Sequence, residues 1–91
     1  MRTTTTERTL ASLHKGEQGV VRQVSTADAA AMGDIEGSTM ARRLLEIGFV
    51  PGERVEVIAT AWPSGDPMAV RIGSAVFALR RREARAILLQ P

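Results

Sequence analysis

Residues 44 to 57 read LLEIGFVPGERVEV, and the grammar of the chain changes twice inside this stretch. Leu44, Leu45 and Ile47 have the spacing of the last turn of an amphipathic helix, and Gly48 stands where a helix most readily stops. Pro51-Gly52 is a turn dipeptide, and Arg54-Val55-Glu56-Val57 then alternates with the period of a strand. Helix, stop, turn and strand therefore follow one another with almost no connecting chain. Nothing in the stretch is a nucleophile, an acid-base pair or a ligand set, so its content is architectural.

Working upstream, Ser38 or Thr39 can cap a helix over 38 to 47. Met40, Leu44 and Ile47 share one stripe of that helix, with Ala41 and Leu45 beside it. The segment STADAAAMGDIEG, residues 25 to 37, mixes small residues with acids and is broken by Gly33 and Gly37, which reads as a surface loop. Before it, EQGVVRQV (17 to 24) is valine-rich and short, a first strand in which Gly19 marks a bulge or a close approach of backbone. Leu10 and Leu13, three apart, suit one short turn docked on the rest. Residues 1 to 9, with four consecutive threonines and no core-forming side chain, read as a flexible lead before a single domain over 10 to 91.

Downstream, ERVEVIATA (53 to 61) is a strand with Val55, Val57 and Ala59 on its inner face. WPSGDP interrupts it with two prolines, MAVRI (68 to 72) places Met68, Val70 and Ile72 on one face, and Gly73-Ser74 is a tight hairpin connection into AVFALR. A brief helical turn near 81 to 85 and a final short strand within AILLQ complete the chain. The fold class is mainly β: about five short strands and one helix inserted after the first strand. Short strands joined by tight turns favour a small closed or partly closed barrel over a parallel sheet with crossover helices.

With 91 residues there is room for one domain, and a chain of this size buries roughly 60 to 65% of its unfolded surface. Apolar residues at 44% and charged residues at 24% are globular proportions. The absence of cysteine excludes a disulfide framework, a thiolate metal site and a thiol nucleophile. No stretch approaches the roughly 18 apolar residues that cross a bilayer, so membrane insertion is not expected. Net charge is +2, but unevenly placed. Arg71, Arg80, Arg81, Arg82 and Arg85 against Glu83 give residues 71 to 85 a charge of +4, leaving the remainder at −2.

A catalytic reading finds little to work with. His14 is the one histidine, Ser12 lies near it only in sequence, and no acid-base constellation surrounds them. One histidine with scattered carboxylates is also a poor transition-metal set; any surface ion would be held by His14 with Glu17, completed by a neighbouring molecule. Neither GERVEV nor GDPMAV has the Lys-Ser/Thr of a phosphate-binding loop, and neither opens onto a helix. The chain is thus read as non-enzymatic and without a cofactor. Two features remain as partner-binding candidates: Trp62, in its proline-bounded loop, and the arginine run Arg80, Arg81, Arg82. A basic strip on a small barrel suits nucleic acid, but such barrels usually add several exposed aromatic platforms, and only Phe49, Trp62 and Phe77 are aromatic here.

Several blocks together resemble the FeoA family of ferrous iron transport proteins. They are Leu10, Leu13, Gly16, Glu17 and Gly19 in L-x-x-L-x-x-G-E-x-G, then RRLLEIGFVPGERVEV at 42 to 57, then GDPMAVRI and ALRRREARAILL. The segment between the first strand and the helix looks longer than the family's usual connection. The resemblance implies an SH3-like barrel that acts in the cytoplasm as an accessory of the FeoB-like membrane iron transporter. It would engage the transporter's GTPase-containing cytosolic region, be recruited through it to the inner face of the membrane, and be open to self-association. Two rival readings keep the fold and change the role. One is a small basic nucleic-acid-binding barrel, and the other is a regulatory module related to iron-dependent repressors.

Overall fold

The computed structural model describes residues 8 to 25 and 34 to 91. A 3-10 turn, Leu10–Ser12, leads into β1 (Gln18–Val24), α1 (Asp34–Ile47), β2 (Arg54–Thr60), β3 (Met68–Ile72), β4 (Ala75–Leu79), α2 (Arg81–Arg85) and β5 (Ile87–Leu89). All strand pairings are antiparallel, in the order β4-β3-β2-β1-β5. The first and last strands are therefore neighbours, and β2 to β4 form a meander beside them. No ladder joins β4 to β5; α2 covers that gap in the chain, so of the two barrel forms expected, the partly closed one is seen. The outer side of β5 is covered by the lead-in to the 3-10 turn: Thr9 bridges Leu88, and the Leu89 N–H donates to the Arg8 carbonyl at 2.8 Å.

The stretch 44 to 57 forms as its residue types dictate. Gly48 adopts φ +129°, its N–H donates to Leu45 O at 3.1 Å, and the Phe49 N–H reaches back to Leu44 O at 3.1 Å. These are the two bonds of a Schellman cap, and they satisfy carbonyls that the ending helix would otherwise leave unpaired. The cap's characteristic apolar pair is Leu44 and Phe49, both fully buried. Gly52, with φ +94°, then takes the third position of a turn whose Glu53 N–H donates to Val50 O at 3.1 Å. A positive φ at that position after proline is a type II turn, which glycine adopts without steric penalty.

The helix begins earlier than the expected 38. Gly37 lies inside it, because one glycine costs a helix only about 1 kcal/mol. The rest of the expected 25 to 37 loop, residues 26 to 33, lies outside the described residues, as do residues 1 to 7 of the N-terminal lead. A second difference is in β2. Its pairing with β3 shifts register between Val57 and Ala59, so Ile58 is the extra residue of a bulge and Ala59 is exposed instead of inward. Leu45, expected beside the buried stripe of α1, is also exposed.

The core joins Leu10, Val21, Leu44, Phe49, Val55, Val57, Met68, Val70, Leu79 and Ile87 in one buried cluster. Phe49 meets half-buried Phe77 edge to face, ring centroids 6.5 Å apart. Gly19 is a close approach: a Cβ there would stand 2.8 Å from Leu89 Cδ1 across the β1–β5 pairing. Gly73, with φ +61° followed by Ser74 at negative φ, suits the two-residue turn between β3 and β4. None of the described helices is long and apolar enough to cross a membrane.

Candidate partner-docking cleft

The loop between β2 and β3 is tied to itself at both ends. The Ala61 N–H donates to Pro67 O at 3.0 Å, the Gly65 N–H to Ala61 O at 2.6 Å, and the Asp66 N–H to Ser64 Oγ at 3.3 Å. A loop so closed on itself can hold an apolar side chain outward, and Trp62 is 92% exposed. It does not fold over the end of the barrel.

Arg81, the first residue of α2, fastens this loop to the 3-10 turn. Its backbone N–H donates to Asp66 Oδ1 at 3.0 Å, and its half-buried guanidinium donates through Nη2 to Ala11 O at 2.9 Å. Between the two walls lies an open cleft of about 480 Å³, with Ala11, Leu13, His14 and Lys15 on one side, Trp62 to Gly65 on the other, and Arg81 at their junction. Segments some fifty residues apart in sequence thus meet around one arginine. Of the arginine run, Arg81 alone lines the cleft; Arg80 and Arg82 are exposed beside it.

Glu83 sets the start of α2. Its carboxylate accepts the Arg80 N–H at 2.9 Å, as the third-position acid of a capping box does, and also pairs with Arg43 of α1. The Glu83 side chain is 12% exposed, so this pair links the two helices at a partly desolvated point. The Arg71–Glu56 pair, 3.1 Å across β2 and β3, is more exposed and contributes about 0 to 1 kcal/mol.

His14 and Glu17 come together as their spacing allows, Nδ1 to Oε1 at 3.2 Å, while the same carboxylate oxygen accepts the His14 backbone N–H at 2.6 Å. They close the turn that feeds β1, where the Gly16 N–H donates to Val57 O at 2.7 Å. Two donors do not make a metal site, and no group of three or more candidate ligands occurs among the described residues. The Glu17 carboxyl is held below its ordinary range, first by the His14 backbone N–H and then by the His14 ring. A depressed carboxyl stabilises the fold above its unfolded pKa, and that contribution is lost as pH falls through the lowered value. An NMR carboxyl titration should show Glu17 titrating below free glutamate. In His14→Ala the depression should shrink but persist, because the backbone donor stays; a return to the free value would refute this assignment.

The FeoA domain model matches residues 8 to 91, from the arginine that pairs with β5 to the last residue. The chain belongs to the FeoA family. FeoA of Stenotrophomonas maltophilia, crystallised with zinc, is 36% identical over 91% of this chain and 89% of that one, with a TM-score of 0.75. That protein is described as a prokaryotic SH3-domain protein and put forward as a ferrous iron transport activating factor. Iron(II) transport protein A of Clostridium thermocellum is 30% identical over 91% of this chain and 44% of that one, with a TM-score of 0.70. A manganese-dependent transcriptional repressor shares the fold at 28% identity and a TM-score of 0.71, covering 96% of this chain and 42% of the repressor. Comparison with curated proteins gives no match. The mainly β, five-stranded sheet with its two helices is thus the small SH3-like architecture of FeoA proteins.

Proposed function

We propose that this FeoA-family chain is a non-enzymatic accessory of bacterial ferrous iron uptake. It acts in the cytoplasm and docks on the cytosolic, GTPase-containing region of an FeoB-like transporter. The reading is carried by the likeness to the Stenotrophomonas maltophilia protein, which spans about nine-tenths of both chains and was put forward as a transport activating factor. The docking face we assign is the cleft with its exposed Trp62 and Arg81, flanked by Arg80 and Arg82. Tryptophan and arginine are among the residue types enriched at the energetic centres of protein interfaces. Iron is the cargo of the transporter in this reading.

Calorimetric titration of the full chain into the transporter's cytosolic region, with and without guanine nucleotide, tests this. We expect binding, and losses of at least about 30-fold for Trp62→Ala and Arg81→Glu, the scale of a 2 kcal/mol anchor. No binding in any nucleotide state or in transporter-containing membranes overturns the docking. Binding unaffected by either substitution moves it to another face. The likeness to the manganese-dependent repressor favours a second reading, a regulatory module that meets another domain and not a transporter; the same titration separates the two.

A further inference from the structure

The arginines of this barrel differ in how their charge is met. Arg43 pairs with Glu83 and Arg71 with Glu56, while the half-buried Arg81 guanidinium spends one N–H on the Ala11 carbonyl and pairs with no carboxylate among the described residues, the nearby Asp66 carboxylate accepting the Arg81 backbone N–H instead. A guanidinium offers five N–H donors, so most of those on Arg81 are open. Taking a charge partly out of water without a counter-charge is unfavourable, and a carboxylate placed against it relieves that in a bidentate geometry.

The surroundings point the same way. The cleft is lined by Lys15, His14 and Arg81 and by no aspartate or glutamate. Lys15 has no ion pair among the described residues. Opposite stands Trp62, 92% exposed, with Pro63 and Ala61 extending an apolar wall. A free phosphate would want convergent donors and would leave the indole unused. A nucleic-acid strand would want a run of stacking platforms, of which this face presents one. A volume near 480 Å³ falls within the roughly 300 to 1,000 Å³ of sites that enclose small ligands or a few side chains.

We propose that the cleft binds an acidic segment of a partner protein: an aspartate or glutamate carboxylate takes the open N–H groups of Arg81, with Lys15 adding charge, and a neighbouring apolar side chain lies on the Trp62 indole. This rests on the docking reading above and deepens it by stating what the partner's segment must carry. It reverses the charge sense of grooves that take basic peptides, since here the rim is the cation.

Trp62 is the sole tryptophan of the chain, so its emission reports on the cleft directly. The full chain is titrated with the peptide Gly-Leu-Glu-Gly-Leu-Glu-Gly and with its twin carrying glutamine for glutamate. We expect a saturable blue shift with the glutamate peptide, weakening as salt is raised, and at least about 10-fold weaker binding of the glutamine peptide. Arg81→Gln should weaken the glutamate peptide at least about 10-fold. Lys15→Gln, at an exposed position where the fold is not at risk, should weaken it two- to five-fold, and circular dichroism checks that both variants are folded. Equal binding of the two peptides, an unmoved emission, or tighter titration by a single-stranded oligonucleotide overturns the proposal. Peptide binding without binding of the transporter's cytosolic region sinks the choice of partner and leaves the cleft chemistry standing. Transporter binding that neither variant weakens, with no peptide response, sinks the cleft alone.

Discussion

Phe49→Ala is expected to cost about 3 to 5 kcal/mol of folding stability, a large share of the roughly 5 to 15 kcal/mol that holds a domain together. Phe49 heads the fully buried side chains, lies edge to face on Phe77, and is the apolar member of the Schellman cap that ends α1. Truncation opens a cavity under the junction of helix and sheet, where the backbone on both sides is held by hydrogen bonds and cannot collapse inward. The melting temperature should fall by at least about 12 °C in a domain of this size. In urea, the midpoint should drop with an unchanged slope, since the surface exposed on unfolding is nearly the same. Val50→Ala, one residue on and exposed, should stay within about 0.5 kcal/mol. A loss below about 1 kcal/mol for Phe49→Ala would mean that the ring is not packed as described.

The second large effect is expected at Leu10, where a short turn outside the sheet looks dispensable. Leu10 is fully buried, belongs to the central cluster, and its turn packs against α2 and β5. Leu10→Ala should cost about 2 to 5 kcal/mol, measured by the same urea transition. Because the turn is one wall of the cleft and Ala11 anchors Arg81, amide exchange should also accelerate in α2. Trp62→Ala, which removes a much larger side chain, should change stability by no more than about 0.5 kcal/mol, because almost none of that side chain is out of water. A Leu10→Ala effect as small as that of Trp62→Ala would show that the turn is not part of the core.

What the sequence made legible was whatever is decided within a few residues. Gly48, Pro51-Gly52 and Gly73-Ser74 act through backbone preference alone, and they appear where their residue types place them. The alternation of β2 was legible only as far as Val57, because a bulge is chosen by the pairing partner and not by the strand that carries it. The start of α1 was misplaced for a similar reason: Gly37 breaks a local pattern, but a helix whose later stripe is buried tolerates one glycine. Of the cleft, Trp62 and the arginine run could be singled out by residue type. That Arg81 and not its neighbours would line the cleft with Trp62, and that Ala11 to Lys15 would form the opposite wall, depends on contacts spanning most of the chain. So does the pairing of Glu83 with Arg43, for which no local signal exists.

The placement of β5 has a consequence for how the molecule comes into being. Its ladder to β1 joins Val21 to Leu89, and the Arg8 side chain reaches the Gln90 carbonyl, a separation of 82 residues. Closing loops of that length must precede any reward from the contacts, which places the chain among slower-folding β topologies. β1 to β4 can pair between strands that follow one another in sequence, while the second edge of β1 waits for β5. Until β5 docks, β1 presents one unpaired, valine-rich edge, open to pairing with another molecule.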